Sequence, residues 1–194
     1  MGERPYHHGN LRTGLIEEGL ALIHEEGRGN FSLRKLARRL NVSPAACYNH
    51  FPTAEALLEE MRRYVTERFC GILSQQAADG QTGCATLRMG RAYVDFFARN
   101  PHYFSFLYEN GNLGIRLTED SFEGEFEPFR IFRAQAFQEM ERCRVPPEER
   151  RDDLLVMWAA VHGLAAMANM KGFHYDGDWG ALTEKLLSEK ITLF

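Results

Sequence analysis

The stretch from residue 32 to residue 51 constrains the fold of this 194-residue chain most, because it contains the signals of two short helices separated by a brief turn. Ser32 is a typical N-cap, since its hydroxyl can accept a hydrogen bond from a backbone N–H of the first helical turn. Ser43 is a second such cap, and Pro44 follows it at the first helical position, where the missing N–H of proline costs nothing. Apolar residues after the first cap recur at helical spacing: Leu33, Leu36, Ala37 and Leu40. The pattern therefore predicts a helix of about two turns after Ser32 and a second helix over residues 44–50.

Two short helices joined by a turn form a helix-turn-helix, whose second helix enters the major groove of DNA. The first helix is basic on its outer side, and we expect the second to expose side chains that suit DNA. Asn49 can bond a base edge bidentately, whereas Tyr48 and His50 can reach phosphate oxygens. The predicted DNA contacts are Ser32, Arg34, Ser43, Pro44, Ala45, Ala46, Tyr48, Asn49, His50 and Thr53. The alternative interpretation is an ordinary helical hairpin with a solvated basic face.

A wider pattern of residues surrounds the two helices. It consists of Phe31-Ser32-Leu33-Arg34, Leu36-Ala37, Leu40, Val42-Ser43, Tyr48, His50-Phe51 and Glu55-Ala56-Leu57. This pattern resembles the DNA-binding domain of the tetracycline-repressor (TetR) family. The resemblance implies a dimeric transcription regulator with a DNA-binding domain over residues 9–69 and a helical ligand-binding and dimerisation domain over residues 70–194. The chain departs from the family at Ala54, where a lysine usually holds a phosphate, and at Cys47, where a small polar residue is common.

Charge is unevenly distributed along the chain. The net charge of −4 argues against a surface that binds polyanions generally, but residues 28–52 contain five basic and no acidic side chains. A local basic patch on an acidic body is typical of a protein that docks on DNA through one end. It is also typical of a solvated face, so both interpretations stay open at this stage.

The sequence contains no pattern that predicts a metal site, a redox site or a membrane span. The adjacent residues His7 and His8 would point in different directions and have no third ligand near them. The four cysteines are widely spaced without a C-x-x-C pair: Cys47, Cys70, Cys84 and Cys143. No signal peptide and no apolar run of about 18 residues is present. We therefore expect no metal, no cofactor, no membrane association and a cytoplasmic location.

The remaining hydrophobic pattern is helical, without a convincing strand. It predicts an all-α protein of about nine helices, in which a three-helix N-terminal DNA-binding domain precedes a helical ligand-binding and dimerisation body. The fourth helix begins after Thr53 and is expected to end within the small, polar, glycine-bearing stretch from Gln75 to Gly83; it is either a lever between the two parts or a plain packing strut. The expected seventh and eighth helices and the loop before them cover residues 123–142, 147–170 and 109–121, respectively.

The eighth helix carries Trp158, His162 and Gly163, in an arrangement that resembles the W-x-x-x-H-G signature of one group of TetR C-terminal domains. Small residues on one face of a helix allow another helix to approach closely. We therefore assign this face to a partner subunit, together with residues of the last helix, although packing within the subunit is the alternative. The predicted dimer interface is Ala159, Gly163, Ala166, Met170, Leu182 and Leu186.

Aromatic side chains from four helices of the body predict a ligand pocket, because small-molecule pockets are mostly apolar and aromatic with a few polar groups. His162 would supply a polar group. The predicted lining is Tyr93, Phe97, Phe104, Tyr108, Phe129, Phe132, Trp158 and His162. The alternative is a solid core without a cavity.

These features predict a ligand-responsive, DNA-binding transcription regulator, a repressor that a small apolar or aromatic effector releases from DNA. Its partners would be a palindromic double-stranded operator, the effector and a second copy of the chain. An enzyme would need a nucleophile with a base, paired carboxylates or a ligand cluster, and the sequence spells out none of these. A helical scaffold protein without DNA affinity is the other alternative. Binding to DNA would distinguish the regulator from both.

Overall fold

The computed structural model describes residues 11–78, 84–109, 113–118, 120 and 122–189. It confirms the all-α fold, because the described residues form nine α-helices and only an isolated bridge of β-type pairing. The helices are α1 (Leu11–Glu26), α2 (Leu33–Arg39), α3 (Pro44–His50), α4 (Ala54–Ala78), α5 (Ala85–Arg99), α6 (Pro101–Phe104), α7 (Glu127–Arg142), α8 (Pro147–Ala168) and α9 (Trp179–Glu189). A π-helical turn, Ser105–Glu109, continues α6. The adjacent histidines near the N-terminus and part of the predicted loop over 109–121 lie outside the described residues.

The helix-turn-helix forms from α2 and α3 as the sequence predicts. The Ser32 hydroxyl accepts a hydrogen bond from the Lys35 backbone N–H at 3.3 Å, so it caps α2. The Ser43 hydroxyl caps α3 in the same way, at 3.2 Å from the backbone nitrogen of Ala46. Between the helices, Asn41 has a φ of 54°, a left-handed conformation that asparagine adopts more readily than most residues. This turn ends α2 and directs the chain into α3.

The first helix contacts both α2 and α4 and so encloses the core of the N-terminal part. It crosses α4 at Gly19, where a Cβ atom would lie 1.9 Å from Cε of Met61. A larger residue at this position therefore fits only if Met61 moves. Buried side chains from all four of the first helices fill the space beneath this crossing, among them Leu15, Leu20, Leu36, Cys47 and Leu57.

The long helix α4 belongs to both parts of the molecule. Its N-terminal half contributes Met61 to the contact with α1, whereas its C-terminal half carries Phe69 into the body. The Phe69 ring stacks on Phe96 of α5 with 5.2 Å between ring centres. The predicted domain boundary between residues 69 and 70 lies inside this helix and stays a prediction.

The body is organised around α5, which contacts α4, α7, α8 and α9. Gly90 of α5 makes this possible, because a Cβ at Gly90 would lie 2.7 Å from Cδ1 of Leu187 in α9 and 3.2 Å from Cγ1 of Val161 in α8. None of the helices in the described residues is long and apolar enough to cross a membrane.

The helix α4 ends at Ala78, within the polar, glycine-bearing stretch from Gln75 to Gly83 in which the sequence predicts its end. Two other predicted helix ends are wrong. The helix α7 begins at Glu127 rather than at residue 123, because Gly124 has a φ of 80° that no helix accommodates. The helix α8 ends at Ala168 rather than at residue 170.

Candidate DNA-binding face and effector site

The exposed side of α3 carries the residues that the sequence predicts to read base pairs. Cys47 is fully buried and fixes the opposite side of the helix against the core. Asn49 and His50 are exposed, and Tyr48 retains 45% of its accessible surface. Pro44 and Ala45 are exposed too, whereas Ala46 is half-buried rather than exposed as predicted, because it lies in the turn beside Cys47. The buried side of α3 therefore holds the helix against the core, and its polar side is exposed to solvent.

The three predicted hydroxyl contacts, Ser32, Ser43 and Thr53, all lie at helix N-termini. The Thr53 hydroxyl accepts a hydrogen bond from the Ala56 backbone N–H at 3.1 Å, as the two serine hydroxyls do for their own helices. A hydroxyl that accepts from its helix still has its own O–H proton to donate. Each can therefore cap a helix and donate to a phosphate oxygen at the same time.

Only part of the basic patch on α2 is unpaired. Acidic side chains of α1 already form ion pairs with two of its cations, in the pairs Lys35–Glu26, Arg39–Glu18 and Arg39–Glu25. Arg34 and Arg38 are exposed, and neither has an ion-pair partner among the residues that the structure describes. The surface that can attract phosphates is therefore smaller than a count of cations along the sequence indicates.

A carboxylate of α1, Glu17, connects three helices where the DNA-binding part meets the body. Tyr64 of α4 donates a hydrogen bond to this carboxylate at 2.5 Å, and Tyr103 of α6 donates another at 2.8 Å. Arg68 of α4 and His102 of α6 place nitrogen atoms 3.8 Å and 3.7 Å from its oxygens. We name these five residues the Glu17 junction.

The Glu17 carboxylate is negatively charged at neutral pH. Burial raises the pKa of Glu17, but the nearby His102 ring, the hydrogen bonds from Tyr64 and Tyr103 and the charge of Arg68 outweigh burial and lower the pKa to about 2. Burial and the same carboxylate raise the pKa of Tyr103, which therefore remains a protonated donor. Charge-assisted hydrogen bonds of this kind are stronger than neutral ones. They tie α1 to both α4 and α6.

The eight residues predicted to line a pocket form one continuous group of rings, which we name the aromatic cluster: Tyr93, Phe97, Phe104, Tyr108, Phe129, Phe132, Trp158 and His162. The Trp158 ring lies 4.8 Å from Phe129 and 5.4 Å from Tyr93, measured between ring centres. Tyr108, Trp158 and His162 are half-buried, and the other five are buried. The structure therefore brings the predicted residues together and leaves one edge accessible. Their role in binding an effector stays a prediction.

Three polar groups of the aromatic cluster are joined by hydrogen bonds. The Tyr93 hydroxyl lies 2.9 Å from the Tyr108 hydroxyl and 3.0 Å from Nδ1 of His162, so it is the middle member of a hydrogen-bonded chain. Burial lowers the pKa of His162 and raises the pKa of Tyr93 and of Tyr108. All three groups are therefore neutral at neutral pH. We name them the Tyr–Tyr–His triad.

The outer side of α8 exposes the large apolar side chains of Leu155, Val156 and Met167, and Met170 is exposed just beyond the C-terminus of this helix. The predicted small residues lie along the same helix, with Ala159 exposed and Gly163 and Ala166 half-buried. A Cβ atom at Gly163 would meet no other atom within 4 Å, so the space above it is open. Leu182 and Leu186 of α9 are half-buried. A contiguous exposed apolar surface of this kind is typical of an association site.

Two family profiles match the chain. Residues 15–61, from α1 to the first turns of α4, match the profile described as bacterial regulatory proteins, tetR family. Residues 86–189, more than half of the chain, match the tetracyclin repressor-like C-terminal domain. The chain belongs to the TetR family. The TetR assignment confirms the predicted class of protein, a DNA-binding transcription regulator.

Individual relatives agree with the TetR assignment. The uncharacterized HTH-type transcriptional regulator YobS of Bacillus subtilis is 26% identical over 90 residues, which is 46% of this chain and 47% of that protein. The chain therefore matches about half the length of this relative. The TetR regulator PfmR from Thermus thermophilus has 16% identity and a TM-score of 0.70, over 91% of this chain and 96% of PfmR. The SmeT–triclosan complex gives 16% identity and a TM-score of 0.62, over 94% of this chain and 93% of SmeT. The two structures show a shared fold.

Sequence reasoning missed the Glu17 junction and most of the exposed surface of α8. Glu17 meets partners that are 47 and 86 positions away, so local spacing carries no signal for the junction. The α8 surface did have a signal, because Leu155 and Val156 add two large apolar residues to a helix whose inner side is already apolar. The sequence predicts Tyr93 and Tyr108 as aromatic residues of the pocket, and that prediction does not include a polar role for their hydroxyl groups.

Proposed function

We propose that this TetR protein is a transcriptional repressor that binds a palindromic operator as a homodimer in the bacterial cytoplasm and leaves it when a small apolar or aromatic effector binds to the aromatic cluster. The observation that carries the proposal is the shared position of α4. The first half of α4 packs against α1, whereas its Phe69 lies 5.2 Å from Tyr93 and 4.9 Å from Phe97 of the cluster, between ring centres. A rearrangement of the cluster therefore reaches the DNA-binding helices through one continuous helix.

The DNA-binding part supports a dimer. The recognition helix α3 has seven residues, and a helix of this length contacts only a few base pairs. A two-fold dimer presents two copies of α3 to half-sites that are one or more helical turns apart, which matches a palindromic site. We assign the partner to the outer side of α8 together with α9, because this surface is apolar, exposed and open above Gly163.

The effector releases DNA only if it binds better to the conformation in which the two recognition helices no longer fit successive grooves, because equal affinity for both conformations shifts no population. The aromatic cluster is contacted by α4, and the Glu17 junction connects α4 and α6 with α1. A shift of α4 or α6 thus moves the DNA-binding helices. The structure of SmeT with triclosan, a protein of the same fold, supports a small molecule as the effector.

Binding to DNA tests the first part of the proposal. Fluorescence anisotropy with the duplex upstream of the protein's own gene, and with a scrambled duplex of equal composition, should show specific binding only to the first. Asn49→Ala should reduce specific affinity by about 1–3 kcal/mol and relax the preference at one position of each half-site. His50→Ala should weaken both duplexes alike, and Glu149→Ala, on the exposed first turn of α8, should change neither. Equal wild-type affinity for the two duplexes would contradict sequence-specific regulation.

The oligomeric state tests the second part. Gly163→Glu should yield folded monomers with weak operator binding, because the new side chain has room within its own subunit but places a charge on the apolar surface. Gly71→Glu is the matched control, since Gly71 is also a helical glycine at which an added Cβ would meet no atom within 4 Å, but it lies on α4. Light scattering should show monomers for the first variant and dimers for the second. A folded Gly163→Glu dimer would place the interface elsewhere.

A further inference from the structure

We propose that the effector is a neutral molecule with a hydroxyl group on an aromatic ring, and that this hydroxyl bonds to both ends of the Tyr–Tyr–His triad. The inference rests on the proposed function, because it takes the aromatic cluster as the effector site. It adds the chemical class of the effector and the polar groups that select it.

The first step of the argument is a count of protons in the triad. When Tyr93 donates to Tyr108, the Tyr93 oxygen must accept from Nδ1–H of His162. This arrangement leaves the O–H of Tyr108 as an unused donor. It also leaves Nε2 of His162 as an unused acceptor, because a neutral imidazole carries only one proton.

The opposite arrangement gives the same result with the ends exchanged. When Tyr108 donates to Tyr93, Tyr93 donates to Nδ1 of His162, and the imidazole proton is then on Nε2. Now His162 has the unused donor and Tyr108 has the unused acceptor. Within the described residues, neither end makes a further hydrogen bond. In both arrangements the triad therefore offers one donor and one acceptor.

A hydroxyl group matches this pair of ends, since it donates one hydrogen bond and accepts another. The Tyr93 hydroxyl contacts both Tyr108 and His162, and the rings of these two residues touch, with 4.7 Å between their centres. The two ends of the triad therefore lie beside each other at the edge of the cluster. An ether or ketone oxygen can only accept, so it leaves the acceptor end of the triad unpaired. A ligand that leaves a polar group of the site unpaired loses binding free energy. The two ends of the triad therefore select for a ligand group that both donates and accepts a hydrogen bond.

The surroundings of the triad exclude ionised ligands. Its ring neighbours are uncharged: Phe97, Phe104, Phe126 and Trp158. Burial keeps the imidazole neutral and both phenols protonated, so the triad has no charge to pair with a carboxylate or an ammonium group. A phenolic hydroxyl is itself neutral at neutral pH, because its pKa is near 10 like that of tyrosine.

The accessible edge of the cluster favours a flat aromatic ligand. The two ends of the triad, Tyr108 and His162, are half-buried, whereas the middle member, Tyr93, is buried. The Trp158 ring is also half-buried and stacks on His162, with an angle of 13° between ring planes and 5.8 Å between centres. A flat ring that enters at this edge finds aromatic faces beside the polar ends.

Four compounds on one ring system test the inference: 2-naphthol, 2-methoxynaphthalene, naphthalene and 2-naphthoate. Calorimetric titration of the full-length protein should give an affinity for 2-naphthol about tenfold higher than for naphthalene, because two net hydrogen bonds are worth roughly this factor. The affinity of 2-methoxynaphthalene should exceed that of naphthalene by less than the affinity of 2-naphthol does, and 2-naphthoate should bind most weakly. Binding of none of the four, or of 2-naphthoate as tightly as 2-naphthol, would overturn the inference.

Variants locate the selectivity in the triad. Tyr108→Phe removes one end and keeps the ring, so the preference for 2-naphthol over naphthalene should fall to about threefold, with naphthalene affinity unchanged. Tyr175→Phe removes a hydroxyl from an exposed tyrosine outside the cluster and should leave all four affinities unchanged. If Tyr108→Phe weakens 2-naphthol and naphthalene equally, Tyr108 contributes shape alone and the inference is wrong.

Operator release is measured separately, so the two proposals can fail independently. If 2-naphthol binds with the expected preference and leaves the operator complex intact, the ligand class stands and the proposed switch fails. If a different compound releases the operator while the naphthol preference is absent, the switch stands and the ligand class fails.

Discussion

The Glu17 junction and the Tyr–Tyr–His triad are built from similar parts but differ in charge. Each contains two tyrosine hydroxyls from different elements and a third polar side chain. At the junction both hydroxyls donate to that side chain, whereas in the triad one hydroxyl links the other to it. At the junction the third group is a carboxylate whose pKa is lowered to about 2, with an arginine and a histidine close to it. In the triad it is an imidazole whose pKa is lowered by burial among rings, so this group is uncharged.

This difference indicates what each group of residues is suited to do. Hydrogen bonds to a charged group are strong and leave a large penalty when they are broken, so the junction suits a permanent connection between two parts of a molecule. Neutral hydrogen bonds cost little to exchange, so the triad suits a place where a ligand must make new bonds. The same residue type, tyrosine, therefore serves a mechanical role in one region and a recognition role in the other.

The largest expected effect is on stability at the junction. Glu17→Ala should lower the free energy of unfolding by about 2 kcal/mol, toward the lower end of the range for charged hydrogen bonds because Glu17 is only partly buried. Urea denaturation measures this change. Glu67→Ala is the control, since it removes only an exposed ion pair with Arg63 and should cost much less. Equal losses would show that the junction contributes no more than a surface pair.

Variants of the aromatic cluster and of the Glu17 junction should change the response to effector in different ways. His162→Ala removes the polar anchor and Phe97→Trp fills space in the cluster, so each should raise the effector concentration needed for operator release by about tenfold. Operator affinity without effector should stay nearly intact in both. Glu17→Gln should instead keep effector affinity but reduce its effect on operator affinity, by about fivefold. Loss of DNA binding in step with thermal stability in all three variants would mean that these residues form only core.

A smaller effect is expected from removing the middle hydroxyl of the triad. Tyr93→Phe should cost about 1 kcal/mol, because it breaks two neutral hydrogen bonds whose other partners, Tyr108 and His162, are half-buried and can bond water. Thermal or urea unfolding measures it, with Tyr175→Phe as the unaffected control. A loss of unfolding free energy larger than that of Glu17→Ala would mean that the triad contributes more to stability than the Glu17 junction does.

The smallest expected effect is on the pH dependence of stability, below about 1 kcal/mol per pH unit at each site. Glu17 has a folded pKa below its usual 4.5, so its contribution is present above 4.5 and is lost as the pH falls toward 2. His162 has a folded pKa below its usual 6.5, so the unfolded chain takes up a proton first and stability declines as the pH falls below 6.5. In urea titrations, Glu17→Gln should remove the loss of stability below pH 4.5, which we call the lower window. His162→Gln should remove the decline that begins below pH 6.5, the upper window. A variant that alters the other window would contradict this assignment.

Features of the fold that depend on nearby residues could be predicted from the sequence. The caps at Ser32 and Ser43 bond backbone N–H groups three residues ahead, so their pattern is complete within one helical turn. Membership of the aromatic cluster could also be predicted, because the apolar stripe of each helix must face the common core. The family resemblance adds the order of the two domains, and the profile matches agree with it.

Features that depend on how helices are placed against each other could not be predicted. The bonds of the triad need a particular translation of α5 against α8, which helical spacing leaves open. The pairing of Arg39 with Glu25 depends on the angle at which α1 crosses α2. The predicted start of α7 was wrong because it depends on how strongly a single residue, Gly124, interrupts a helix.

The ion pairs between α1 and α2 determine how the protein responds to ionic strength. A protein cation that neutralises a DNA phosphate releases condensed counterions, and each such contact adds about 0.9 to the slope of the logarithm of affinity against the logarithm of salt concentration. Lys35 and Arg39 already have carboxylate partners, so they release fewer counterions than Arg34 or Arg38. The carboxylates of α1 thus lower the non-specific, salt-sensitive share of DNA affinity. Occupancy of the operator then depends more on the base contacts of α3 and less on the salt content of the cell.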